Sequence, residues 1–174
     1  MELALVMQCI LYVCIEYHKG VDMEYGIKDK NIPAITIVTR PWGFYKMFVE
    51  NQPCTAKILH IRPGEMLSLQ YHRIRTQVYY IMDEFSVYLS DIPIPKEIDN
   101  NIDLLQIFTT EHVKEHKCKK GDINNIPKFV IHRPFYSGIQ EYGCIVDMAF
   151  GINDENDIFR IKDKYVREEC QAQQ

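Results

Sequence analysis

The sequence has no C-x-x-C pair, no dense run of Lys and Arg, no internal repeat, no low-complexity tract and no apolar stretch of membrane-spanning length. Each absence closes off a class. The six cysteines (Cys9, Cys14, Cys54, Cys118, Cys144 and Cys170) are scattered, which excludes a small disulfide scaffold and predicts a reduced, cytoplasmic setting. A formal net charge of −4 without a basic patch gives no general attraction for nucleic acid. The apolar run "LALVMQCILYVCI", Leu3 to Ile15, is too short to span a bilayer; Glu2 precedes it and Gln8 interrupts it. It reads as a buried helix or strand leading into the domain, the alternative being a membrane or partner anchor.

What is present is a chain of 174 residues, 47% hydrophobic and 25% charged, long enough to bury one core without covalent staples. From Pro33 the sequence breaks into short runs rich in Ile, Val, Tyr and Phe, separated by turn residues such as Arg62–Gly64, Lys119–Asp122 and Glu141–Gly143. That pattern predicts an all-β domain, a sandwich or barrel. Expected strands are Ala34–Thr39, Tyr45–Val49, Ala56–Ile61, Met66–His72, Val78–Met82, Phe85–Leu89, Leu104–Thr109, Phe129–His132 and Cys144–Phe150. Residues 1–32 form an N-terminal extension, 91–120 a solvated and mobile inserted loop with one or two helical turns, and 168–174 a frayed tail.

The segment "GEMLSLQYHRIRTQVYY", Gly64 to Tyr80, sets Gln70 and His72 on one face of a strand and Leu67, Leu69 and Tyr71 on the other. That polar face is either wet or turned into a cavity. Two spacings favour the cavity: Gly64, Gln70, His72 and Gln77 fall on the first signature of the cupin barrels, and Gly121, Pro127 and His132 fall on the second. The likeness narrows further. "RPWGFYKMF", "KILHIRPGEMLSLQYHRIR", "NIPKFVIHRP" and "NDIFRIKDKYVRE" resemble, in order, the blocks of the type II mannose-6-phosphate isomerase cupins, over about Arg40 to Arg167.

The resemblance implies a single-domain cupin over residues 33–167, a double-stranded β-helix or jelly roll, acting on a sugar phosphate in nucleotide-sugar or polysaccharide biosynthesis. It maps a divalent metal, zinc or similar, onto Gln70, His72, Gln77 and His132, gives Arg75 a catalytic role, and leaves Lys57, Arg62 and Arg133 to hold a phosphate. A homodimer and no membrane partner go with it. Departures fall at the site itself: Gln77 stands for a Glu, Arg73, Ile74 and Val78 for histidines, Phe129 for the Gly of a Pro-x-Gly turn, and Glu84 for a Gly. A carboxylate 4 Å from a divalent ion is worth about 8 kcal/mol at an effective dielectric of 20, before desolvation. Its loss leaves two further readings open: a degenerate cupin that binds a sugar or partner with its metal weak or lost, and a metal-dependent cupin enzyme with another small substrate.

Elsewhere, His112 and His116 would share one face of a helix near Cys118, a minor zinc reading against the commoner one of a solvated pair. Trp42 reads as core packing before pocket wall, and His18 and His60 as structural.

Overall fold

The computed structural model describes residues 35–50 and 54–165. The expectations for the N-terminal extension, its apolar run, His18 and the 168–174 tail lie outside the described residues.

Alternation governs the described strands. In Thr55–Ile61 (β3), Thr76–Ile81 (β5) and Gly143–Phe150 (β10), every second side chain turns to a shared inner face. These three lie side by side, and with Thr36–Arg40 (β1), Gly43–Val49 (β2) and Ile123–Ile126 (β8) they make a six-stranded sheet of order β1-β2-β3-β10-β5-β8. The facing five-stranded sheet has the order β11-β4-β9-β6-β7, from Leu69–Tyr71 (β4), Phe85–Ser90 (β6), Val113–Cys118 (β7), His132–Phe135 (β9) and Phe159–Lys162 (β11). All named pairings are antiparallel. The expected all-β class is the observed one.

Leu59, Ile61, Tyr79, Ile81, Phe85, Val87, Ile126 and Ile145 fill the space between the sheets, with Trp42 packed among them. Further along the same inner faces the apolar residues give way to Lys57, Gln77 and Asp147, and that change positions the site.

The segment 91–120 departs from expectation. It contains an α-helix, α1 (Ile102–His112), and the edge strand β7 rather than a mobile loop. Leu104–Thr109 is therefore helical, not a strand. Asn101 caps the helix by accepting the Leu104 N–H at 3.1 Å, and Leu105 and Phe108, three residues apart, press onto Leu69, Tyr71 and Ile131 on the outer face of the second sheet. Burying that pair outweighs the strand propensity of "LLQIF". His112 closes the helix whereas His116 lies in β7, so the two share no helical face. Strands β7, β8 and β11 go beyond the expected set, and β9 begins at His132, where the expected strand, Phe129–His132, ends.

Candidate functional site

Two rows of side chains face each other across the barrel. On the first sheet, Lys57, Asp147 and Tyr79 stand directly opposite one another on β3, β10 and β5. On the second, Arg160, Gln70 and His132 stand opposite one another on β11, β4 and β9. Between them lies a cavity of about 70 Å³, open to solvent, whose wall includes Lys57, Gln70, Arg75, Gln77, Tyr79 and Asp147. Trp42 belongs both to the core and to this wall, so its two readings meet.

His72 and His132 lie behind that wall, 2% and 0% exposed, with ring centroids 5.0 Å apart. Each Nδ1 faces a backbone carbonyl, that of Asp157 at 2.6 Å for His72 and that of Val130 at 3.0 Å for His132. A carbonyl only accepts, so each Nδ1 carries the proton and each Nε2 keeps a lone pair. Both Nε2 atoms are buried without a hydrogen-bond partner. Burial holds both rings neutral. His72 is pushed down to about 2 by desolvation, then by the neighbouring His132 and Arg75, against the Asp157 carbonyl and Gln77. His132 is pushed down to about 4, first by desolvation.

The side-chain amide of Gln77 donates to Asp147, at 3.1 Å to Oδ1 and 3.3 Å to Oδ2, while its Oε1 is buried without a partner. Gln70 is placed differently, its Oε1 accepting from the Ser68 hydroxyl at 2.6 Å. Two imidazole nitrogens and an amide oxygen, all neutral, buried and unpartnered, fit a borderline divalent cation. Among the described residues no three of His, Cys, Asp and Glu converge, so no carboxylate completes that set.

The cations sort by strand face. Lys57 reaches the cavity, sits 5.0 Å from the Tyr45 ring centroid and donates to Asn153 at 3.3 Å. Its pKa is lowered chiefly by desolvation. Arg75, 3% exposed, donates to Asn153 at 2.8 Å and points Nε, unpartnered, into buried space. Arg62 and Arg133, expected to hold phosphate, lie outside the lining. Arg133 follows the inward His132 and so points out, donating to the Lys162 carbonyl, while Arg62 donates to the Pro41 carbonyl. Arg40 and Arg160 take their place at the mouth, each paired with Glu155, at 3.8 and 3.3 Å.

Arg40, Asp147, Asp157 and Arg160 were missed as site residues. Arg160 stands in "NDIFRIKDKYVRE" and Arg40 in "RPWGFYKMF", both quoted for their likeness, so attention to charged residues within those blocks would have found them. Asp147 carried no local signal, being one acidic residue in an apolar strand.

Residues 28–91 match a family model described as mannose-6-phosphate isomerase C-terminal, a stretch that includes Gln70, His72 and Gln77 but not His132. No curated protein matches the chain. Among solved structures the chain is similar to the capsular polysaccharide assembling protein CapF from Staphylococcus aureus, at 12% identity and TM-score 0.54, covering 75% of this chain and 35% of that one. It thus spans about a third of the CapF chain. KdgF from Halomonas sp. (13% identity, TM-score 0.51, 71% of this chain and 91% of that one) and Pac13, described as a unique nucleoside dehydratase (9% identity, TM-score 0.51, 74% and 85%), share the architecture. The fold is that of the cupins; the family match covers residues 28–91, about a third of the chain.

Proposed function

We propose that the cavity binds a phosphorylated sugar and interconverts its aldose and ketose forms, mannose 6-phosphate and fructose 6-phosphate being the first pair to test. One observation carries this reading: four cations, Arg40, Lys57, Arg75 and Arg160, line the same small cavity against only two carboxylates, Asp147 and Glu155, next to the buried neutral donors. A surplus of guanidinium and ammonium groups suits a phosphate dianion. The family match supports the reaction class, and the likeness to a capsular polysaccharide assembling protein suggests polysaccharide or nucleotide-sugar synthesis as its setting.

Isomerisation moves a proton between adjacent carbons and builds negative charge on an oxygen as it does so. His72, His132 and Gln77 would hold a divalent cation, with Gln70 adjoining them; bound there, such an ion polarises the carbonyl. Arg75 stabilises the developing oxyanion, and Arg160 and Arg40 hold the phosphate at the mouth. Trp42, Leu59 and Leu67 keep water from the reacting carbons. We place the protein in the cytoplasm on its scattered cysteines, as a homodimer joined through an edge strand such as β1, where Ile37 is 63% exposed.

The test is an isomerase assay on purified protein with Zn²⁺, Mn²⁺ or Co²⁺ added in turn. Turnover that Arg75→Ala abolishes supports the proposal, and no turnover with any of the three overturns it. The neutral donor set favours a second reading, a sugar binder without turnover. That one expects a rise in melting temperature with mannose 6-phosphate and no product, and no shift with any sugar phosphate removes it.

A further inference from the structure

We infer that Asp147 is the carboxylate of the metal site, set one hydrogen bond outward, where it aims and charges the Gln77 amide in place of a carboxylate at position 77. The inference rests on the divalent-cation reading of this cavity and not on which reaction follows.

Amide orientation is the first step. The two ends of a glutamine side chain have nearly the same shape, so something must decide which of them faces the imidazoles. An ionised carboxylate only accepts. With the Gln77 NH₂ group shared between both Asp147 oxygens, the lone pairs of Oε1 are turned the other way, into the buried space where Oε1 has no partner.

The strand register makes this arrangement. Gln77 stands opposite Ala149 on β10, and Asp147 lies two residues along the same inner face, the diagonal neighbour. Ala149 has no bulk to fill the gap, so the glutamine leans onto Asp147. On the other side, Lys57 stands directly across from Asp147 on β3, and Arg75 adds a second positive charge nearby. Burial on balance raises the Asp147 pKa, with those two cations and the Gln77 amide opposing it. The geometry, in which both carboxyl oxygens accept from one NH₂ group, is that of the carboxylate. A negative charge is thereby held one bond behind a neutral donor, where it draws electron density onto Oε1 and adds its own attraction for a cation.

The same geometry changes the meaning of the Glu-to-Gln departure. A glutamate at 77 would press two buried carboxylates together with no proton donor between them. Gln77 and Asp147 are therefore a matched pair, with the amide and the acid exchanged relative to a directly ligating glutamate.

The experiment is calorimetric titration of Zn²⁺ and Co²⁺ into the metal-free full-length protein, with the visible Co²⁺ spectrum as a second readout. Asp147→Asn keeps shape and an acceptor oxygen, and its affinity should fall 10- to 100-fold, the usual effect of losing an outer-shell partner. Because Lys57 and Arg75 lose their shared counter-charge, its metal-free melting curve should shift down yet stay cooperative, which shows that the variant is folded. Gln77→Glu combined with Asp147→Asn exchanges acid and amide and should restore affinity to within threefold of wild type or better. Gln77→Glu alone should bind more weakly than that double variant. Wild-type affinity in Asp147→Asn, no rescue by the exchange, or a wild-type protein that takes up no divalent cation would each overturn the inference. Isomerase turnover is scored separately: Asp147-dependent cation binding without turnover removes the isomerase reading alone, and turnover with Asp147-independent binding removes this one alone.

Discussion

Asp157 holds His72 from two directions at once: its backbone carbonyl accepts from the ring Nδ1 at 2.6 Å, and its buried carboxylate accepts the backbone N–H groups of Arg73, Ile74 and Arg75 at 2.8, 3.0 and 3.2 Å. The turn after β4 and the tautomer of the imidazole thus depend on a single residue more than eighty positions further along. Asp157→Ala leaves three N–H donors without an acceptor, and at about 1 kcal/mol each the expected loss is roughly 3 kcal/mol. A lower urea midpoint with an unchanged slope is the expected record. Asp157→Asn, which keeps one acceptor, should lose less, and a wild-type midpoint in the alanine variant would deny the carboxylate this role.

How much of this could be read in the chain depends on the distance over which each contact acts. Strands β3, β5 and β10 announce themselves because their signals are local: β5 alternates buried and half-buried side chains, and β3 and β10 are short runs buried almost throughout. The charged strand β7, "VKEHKC", does not, since at a sheet edge it buries Cys118 and sends its Lys, Glu and His to solvent. Gln70, His72, Gln77 and His132 could be found by spacing because each lies within a short block. Asp147 joins them only through cross-strand register, seventy residues from Gln77. Arg133 lies outside the cavity wall for a simpler reason: its neighbour His132 points in, so alternation already requires it to point out.

Arginine placement gives a direct comparison. Arg160 lines the cavity, whereas Arg133 points away from it and donates to the Lys162 carbonyl. Arg160→Ala should weaken mannose 6-phosphate binding by about tenfold, the loss of one charge-assisted contact of roughly 1.5 kcal/mol. Arg133→Ala should leave binding unchanged. Calorimetry on the two variants decides, and an equal loss in both would dissolve the distinction between the faces.

His60 offers a test of pH dependence remote from the cavity. It stacks on Phe44 at 4.3 Å between centroids, its Nδ1 lies 3.3 Å from the Cys144 sulfur, and burial, with a smaller push from Lys46, lowers it from 6.5 to about 4. With a folded value below the unfolded one, the native state resists protonation. The stabilising contribution is therefore complete above pH 6.5 and is lost as pH falls through the interval from 6.5 to about 4, by about 3 kcal/mol in full. His72 and His132 add to the same acid loss, so the informative quantity is a difference. His60→Gln should remove about 3 kcal/mol from the wild-type decline between pH 7 and pH 4 in urea titrations. Parallel declines in the two proteins would show that His60 is not held neutral by its surroundings.

Phe129 occupies the place of the glycine in the Pro-x-Gly turn, and its φ of 65° lies in the left-handed region that suits glycine. The backbone is held there from both sides: its N–H donates to the His72 carbonyl at 2.8 Å, and its carbonyl accepts from Ile94, also at 2.8 Å. Stacking of the ring on Tyr71, with centroids 6.4 Å apart, repays part of the conformational cost. Cutting the side chain to alanine loses the ring and keeps the left-handed penalty of about 1 kcal/mol; cutting it to glycine loses the ring and the penalty together. Phe129→Gly should therefore be about 1 kcal/mol more stable than Phe129→Ala, the reverse of the usual order, in which glycine costs 0.5–1 kcal/mol relative to alanine. Because both variants lack the ring, the comparison isolates the backbone. Urea midpoints that rank alanine above glycine would show that residue 129 does not hold the left-handed conformation in solution, and that the hydrogen bond from Phe129 to His72 is not what fixes the strand end beneath the imidazole.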